Sequence, residues 1–172
     1  MGIFFQADAL FCLKNMKKIK LTQGKYAMID NKDYKKINKF RWYYQNAGYK
    51  GYATRYSFGK SILMHRVIMN TPTEFITDHK NGNGLDNRRD NLRICTFREN
   101  QHNKRLQKNN NSGYKGVSWH KGVKKWHAKI KNNYKDIHLG YFDNKIYAAQ
   151  SYNLKAQELF GEFARLNKLT CG

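Results

Sequence analysis

An acid and a histidine stand side by side at Asp78-His79, and two amide side chains, Asn91 and Asn100, follow downstream. Hydrolysis of a phosphodiester needs a water made nucleophilic, charge relief on the phosphoryl group and help for the departing oxygen. A neutral histidine can take the proton from water. One hard divalent cation held by oxygen ligands can serve both the phosphoryl group and the leaving oxygen. The Asp78 carboxylate and the Asn100 side-chain carbonyl are suitable oxygens, with substrate phosphate and waters completing the shell. Asn91 can hydrogen-bond backbone groups and pin the loop that positions His79. The same residue types also suit a calcium-like or purely structural Asx-rich loop, and types alone leave both readings open.

These residues need a particular set of elements around them. Phe75-Ile76-Thr77 reads as a strand leading into Asp78-His79, and Asn81-Gly82 and Asn83-Gly84 are strong turn dipeptides. Asp86 to Asn91 is charged loop, and Leu92 to Thr96 reads as the returning strand. Thr96-Phe97-Arg98-Glu99 is a capping box, so a helix starts there with Asn100 and Asn103 on one face. His102 turns away from Asn100 toward the surface. The unit is strand, long loop, strand, helix. Adjacent strand residues face opposite ways, so the strand must end or twist if Asp78 and His79 are to reach one site.

In this order the residues of Asp78–Asn103 closely resemble the HNH endonuclease family, the ββα-metal fold, and most of all its mobile, homing-type branch. The resemblance implies His79 as general base, with Asn91 as the catalytic-site Asn that shapes the loop. It implies Asp78 and Asn100 as ligands of one divalent metal ion, Mg²⁺ first and Mn²⁺ as the substitute. Family members with flanking C-x-x-C pairs carry a structural zinc; the cysteines here, Cys12, Cys95 and Cys171, form no such pair, so none is expected. Their odd number also disfavours a disulfide framework and favours a reducing, intracellular setting. His65, in Leu-Met-His-Arg-Val-Ile, sits where this branch often has a His-Arg pair. It is a candidate support for the site, set against a plain histidine satisfied within an apolar run. Asn103 is a second-shell or phosphate-contact candidate. Arg88, Arg89, Arg93 and Arg98 surround the site and read as DNA contacts.

The remaining chain fits a nucleic-acid enzyme. Its 172 residues carry a formal charge of +21, from 33 Lys plus Arg against 12 Asp plus Glu, and 15% of them are aromatic. A basic protein this aromatic is folded and attracts polyanions. Double-stranded DNA is the expected partner, and no apolar run approaches the ~20 residues needed to span a bilayer. Residues 1–15 read as an upstream extension, apolar but lacking the basic start of a signal peptide. From 16 to 105 the sequence predicts a small α+β module plus the nuclease unit. Lys18–Thr22 and Tyr26–Asp30 form a hairpin, Asp33 caps a short helix, and Phe40–Gln45 and Tyr49–Ser57 are strands. Ser61–Met69 is apolar, and its period does not choose between strand and helix.

Residues 106–112 read as a basic, Asn-rich linker. Beyond it, Tyr114–Lys121, Lys125–Asn132 and Lys135–Phe142 predict three strands. Alternation places Trp126, Ala128 and Ile130 on a packed face and Lys125, His127, Lys129 and Lys131 on a basic one. Asp143 then caps a helix of roughly five turns, with a stripe of Ile146, Ala149, Tyr152, Ala156, Leu159 or Phe160, and Phe163. Residues 113–167 resemble the Apetala/ethylene-response-factor-type DNA-binding domain. That resemblance implies Lys115, Ser118, Trp126, Lys129 and Lys131 facing DNA.

The expected fold class is therefore α+β: a small module with a ββα-metal unit, then a three-stranded antiparallel sheet on one helix. The expected activity is metal-dependent cleavage of DNA. One site per chain makes a monomer that nicks the natural form, whereas a double-strand break would need a dimer or a second event. The rival is a non-catalytic, sequence-specific DNA-binding regulator with a decayed nuclease unit. Intact Asp78, His79, Asn91 and Asn100 argue against decay.

Overall fold

A computed structural model describes residues 15–48, 50–104, 106 and 109–169. The chain forms two compact units that divide between Phe97 and Arg98. The expected extension, 1–15, lies almost wholly outside the described residues, and the expected linker, 106–112, lies partly outside them.

The first unit opens with the antiparallel hairpin β1 (Met16–Lys20) and β2 (Tyr26–Asp30). Helix α1 (Asn31–Ile37) follows directly. Its N-cap position is Asp30; Asp33, expected as the cap, is buried in the first turn instead. A meander comes next, β3 (Tyr43–Ala47), β4 (Lys50–Ser57) and β5 (Lys60–Leu63), all antiparallel. The apolar run at 61–69 is both of its candidates: β5 ends at Leu63, and helix α2 (Met64–Met69) takes over. Asn70 stops that helix in the left-handed conformation, which Asn tolerates better than most residues. Ile19, Ala27, Ile29, Ile37, Trp42, Met64 and Ile68 make the core. The indole of Trp42 donates to the Ile37 carbonyl at 2.8 Å, so its one polar atom is buried with a partner. The second hairpin, β6 (Ile76–His79) with β7 (Leu92–Cys95), contributes Leu92 to this core.

Helix α3 (Phe97–His102) begins directly after Thr96, as the sequence predicts, and its first residue stands at the division between the units. In the second unit β8 (Val117–His120), β9 (Lys125–Asn132) and β10 (Lys135–Phe142) form an antiparallel sheet with β9 central. Two of these strands have the predicted bounds. Helix α4 (Lys145–Phe160) packs on one face through Ala148, Ala149, Tyr152 and Ala156, against Val117, Ala128 and Ile130. Its cap is Asn144 rather than Asp143: the Asn144 side chain accepts from the Ile146 amide at 2.8 Å. The helix stops before Gly161, at φ 50°, so Phe163 lies in a short 3-10 turn and not on the helical stripe. Gly116 is required where it stands. At φ +75° it also sits so close to α4 that a Cβ would come within 2.0 Å of the Tyr152 ring. The architecture is the expected α+β class. Among the described residues no helix is long and apolar enough to cross a membrane.

Candidate active site

The β6–β7 hairpin builds the site from its register outward. Asp78 pairs across the ladder with Arg93, and His79 with Leu92. Both Asp78 and His79 are buried. The Arg93 guanidinium donates to Asp78 Oδ2 from Nη2 at 2.7 Å and from Nε at 3.1 Å. His79 is the last residue of its strand, and its carbonyl accepts from the Gly82 amide at 2.8 Å to open the loop. The two neighbours thus keep different company: Asp78 meets Arg93, whereas His79 meets a set of rings and an amide.

That set holds the His79 ring firmly. Its Nε2 lies 3.2 Å from Asn87 Oδ1. With the amide oxygen as acceptor, Nε2 carries the proton and Nδ1 is left as the basic nitrogen. His65 stands edge-on to His79, with ring centroids 4.8 Å apart, and Tyr52 lies 5.6 Å from His65 and 6.0 Å from His79. Burial lowers the pKa of His79 below the ordinary 6.5; the Asn87 bond and the Asp78 carboxylate oppose that shift without cancelling it. His65 is driven further, to about 3, by burial first and then by His79. Both imidazoles are therefore neutral at physiological pH.

The loop between the strands is held by amides. Asn91 Oδ1 accepts from the Asn81 amide at 3.0 Å, and its Nδ2 donates to the Asp86 carbonyl at 2.7 Å. Lys80 N–H donates to the Asn91 carbonyl at 2.8 Å. Asn91 therefore shapes the loop through both ends of its side chain. Asp86, almost fully buried, receives Asn81 Nδ2 at 2.9 Å and a two-pronged Arg88 at 2.7 Å. Burial raises its pKa, but the Arg88 guanidinium outweighs this and the net shift is downward. The loop docks on β2, where Met28 N–H donates to Leu85 O and Asn87 N–H donates to Met28 O, both at 2.8 Å. Gly84 presses against β4: a Cβ there would come within 2.3 Å of the Gly51 carbonyl and 2.7 Å of the Tyr52 ring.

Three of the four arginines expected to contact DNA are engaged inside the protein. Arg88 clamps Asp86, and Arg93 clamps Asp78. Arg89 clamps Asp33 at 2.7 and 2.8 Å and donates to the Ile68 carbonyl at 2.8 Å. Each guanidinium meets a carboxylate that burial would otherwise leave uncompensated. Arg98 alone of the four is exposed on its helix. His65 is buried as a ring neighbour of His79, and its Nδ1 lacks a hydrogen-bond partner.

The second unit, from Arg98 onward, carries the other candidate residues. Asn100 is half-buried on α3, and Asn103, just past the helix, is buried. His102 is not a free surface residue: it stacks on Phe160 with centroids 3.7 Å apart. Ser118, Lys129 and Lys131 are exposed on the sheet, as expected of a basic face. Trp126 and Lys115 depart from the expectation. Trp126 packs on the Val117–Ala128–Ala149 cluster, because the strand's alternation turns it toward the helix. Lys115 donates from Nζ to the His102 carbonyl at 2.6 Å, and burial lowers its pKa to about 8.

Sequence reasoning missed Asn87 and Tyr52. Asn87 lies within the Asx-rich loop and is completely buried, a position its residue type does not reveal. Tyr52 carries no local signal; only the close approach of β4 brings its ring to His79.

As a donor set this site is oxygen-rich. Among the described residues no group of three or more His, Cys, Asp or Glu forms a metal cage. The Asp78 carboxylate beside His79 is the kind of hard oxygen donor that suits a divalent ion.

A buried Asp-His pair on a hairpin and a loop braced by asparagines, with a helix next in the chain, follow the element order of the ββα nuclease unit. Residues 63–102 match the HNH endonuclease family. The chain is 32% identical over 158 residues to an uncharacterized HNH endonuclease of Acanthamoeba polyphaga mimivirus, covering 86% of this chain and 77% of that protein. It is also 35% identical over 94 residues to Protein 3.8 of Escherichia phage T7, covering 55% of this chain and 77% of that protein. No solved structure matches it. This chain belongs to the HNH endonuclease family.

Proposed function

We propose that the protein is a divalent-metal-dependent endonuclease that hydrolyses a phosphodiester of double-stranded DNA, with His79 as general base. The observation that carries this is the state of His79: buried, neutral, and anchored through Nε2 on Asn87 beside the Asp78 carboxylate. Nδ1 takes the proton from an attacking water, and the bond to Asn87 keeps the ring oriented while its charge changes. Arg93 holds Asp78, and Asn91 holds the loop. By the resemblance at Asp78–Asn103, Asp78 and Asn100 would hold the ion, with Mg²⁺ as the expected species. When bound, that ion supplies charge neutralisation at the phosphoryl group and the leaving oxygen. One His79 per chain makes strand nicking the natural product, and the resemblance at Asp78–Asn103 supports a homing-type nuclease. Residues 113–167 serve as the duplex-binding domain of Apetala/ethylene-response-factor type, through the exposed Ser118, Lys129 and Lys131, and the protein works inside the cell.

Incubation with supercoiled plasmid tests the proposal. Nicked circles should accumulate with Mg²⁺ or Mn²⁺ and vanish with EDTA, and His79→Ala should bind duplex without cutting it. A wild-type chain that binds but does not cut with either metal would return the protein to the regulator class.

A further inference from the structure

The outer face of the β8–β10 sheet carries a cluster of rings that cleavage chemistry does not use. Register puts His120 and His127 on the side opposite α4, since Trp119 and Trp126 face each other on the inner side. On β10 an irregularity between His138 and Gly140 resets the alternation, so that His138 and Tyr141 share the same outer face. The four rings form a ladder. His120 lies 5.3 Å from Tyr141, Tyr141 lies 5.0 Å from His127, and His127 lies 4.9 Å from His138.

His127 Nε2 and His138 Nδ1 are 2.8 Å apart. One of these nitrogens must donate and the other accept, so at least one ring is neutral while the bond holds. The charged surroundings are mostly cationic. On β9 stand Lys125, Lys129 and Lys131; Lys129 pairs with Asp136 of β10 at 2.9 Å and Lys125 with Asp143 at 3.2 Å. Burial, then His138, Lys129 and His120, hold His127 below its ordinary value, against the pull of Asp136. Rows of phosphates laid on this face reverse that balance, because they stabilise imidazolium where neighbouring cations oppose it.

We propose that this ladder is a proton-linked grip on the DNA backbone: duplex binding takes up a proton at His127, on the ring pair it forms with His138, so affinity rises as pH falls. The inference rests on the reading that residues 113–167 contact duplex DNA. It assigns to the imidazoles the work that Trp126 and Lys115, turned inward, do not perform.

Fluorescence anisotropy of the full chain with a short labelled mixed-sequence duplex decides it, in EDTA at fixed ionic strength, between about pH 8 and about pH 6. Wild type should tighten about tenfold for a rise of one unit in the proton affinity of His127 on binding. His127→Gln with His138→Gln should keep binding near the upper pH and lose most of the dependence. If that pair unfolds by circular dichroism, either single variant should show an intermediate slope. A wild type that binds duplex with the same Kd at both pH values overturns this inference alone, as does a folded double variant that keeps the full slope. A wild type that binds at neither pH overturns the DNA reading with it.

Discussion

Arg93 stands directly across the hairpin from Asp78 and sends both Nε and Nη2 to the single oxygen Oδ2. Both side chains are buried, so neither charge is compensated by water. Arg93→Ala leaves a buried carboxylate without its partner. The expected cost is about 3–5 kcal/mol of stability, measured as a lower urea midpoint, together with loss of cleavage. Arg98→Ala, exposed on its helix, should leave the midpoint within about 0.5 kcal/mol of wild type. Equal losses for the two would remove the special place of the Asp78 pair.

His79 and Asn87 should separate chemistry from binding. His79→Ala should lower kcat by roughly 10²–10⁴-fold, the usual worth of a positioned base, with little change in duplex Kd. Asn87→Ala removes the acceptor of Nε2. It should lower kcat by less than His79→Ala and add little when the two are combined, because both act through one ring. Independent, multiplying losses would show that Asn87 does not act through His79.

Acid should weaken the first unit before the carboxylates titrate. His65 has a folded pKa of about 3 against an ordinary 6.5. Between those values the unfolded chain binds a proton that the folded chain refuses. Stability is therefore full above the unfolded value and falls as pH drops below it, by up to about 1.4 kcal/mol per pH unit. His79, also lowered, adds to the same slope. Urea midpoints measured from neutral pH downward should show this decline. His65→Leu should flatten it without abolishing it, and an unchanged slope in that variant would contradict the assignment.

Gly84 tests the docking of the loop that carries Asn87 and Asn91. A methyl group there would meet the Gly51 carbonyl and the Tyr52 ring at distances that side chains do not tolerate. Gly84→Ala should cost about 1–3 kcal/mol and lower kcat, because the loop that carries Asn87 must lift from β4. A neutral effect on both would mean that the loop adapts freely. Gly59→Ala is the contrasting variant, since open space surrounds its Cβ and only the positive φ is strained.

Local order was legible because it depends on neighbouring residues. Alternation in Lys125–Asn132 and Lys135–Phe142 marked two strands to the residue, and Thr96 marked the start of α3. Asp143 and Asp33 are not the caps: Asn144, next to Asp143, caps α4 with its side chain, whereas α1 starts after Asp30, whose carboxylate makes no capping bond and accepts from the Arg89 amide instead. The run at 61–69 defied its period because strand and helix share it.

The Asp78-His79 pair, the asparagine-braced loop and the α+β class follow from residue order alone, since short-range spacing and turn chemistry dictate them. Tertiary structure decided which charges remain for a partner. Arg89 finds Asp33 from 56 positions away, Arg93 finds Asp78 through strand register, and Tyr52 reaches His79 because Gly84 admits β4. A guanidinium in sequence carries no mark of the carboxylate it will meet. Burial makes that meeting obligatory, and burial exists only once the chain has closed on itself.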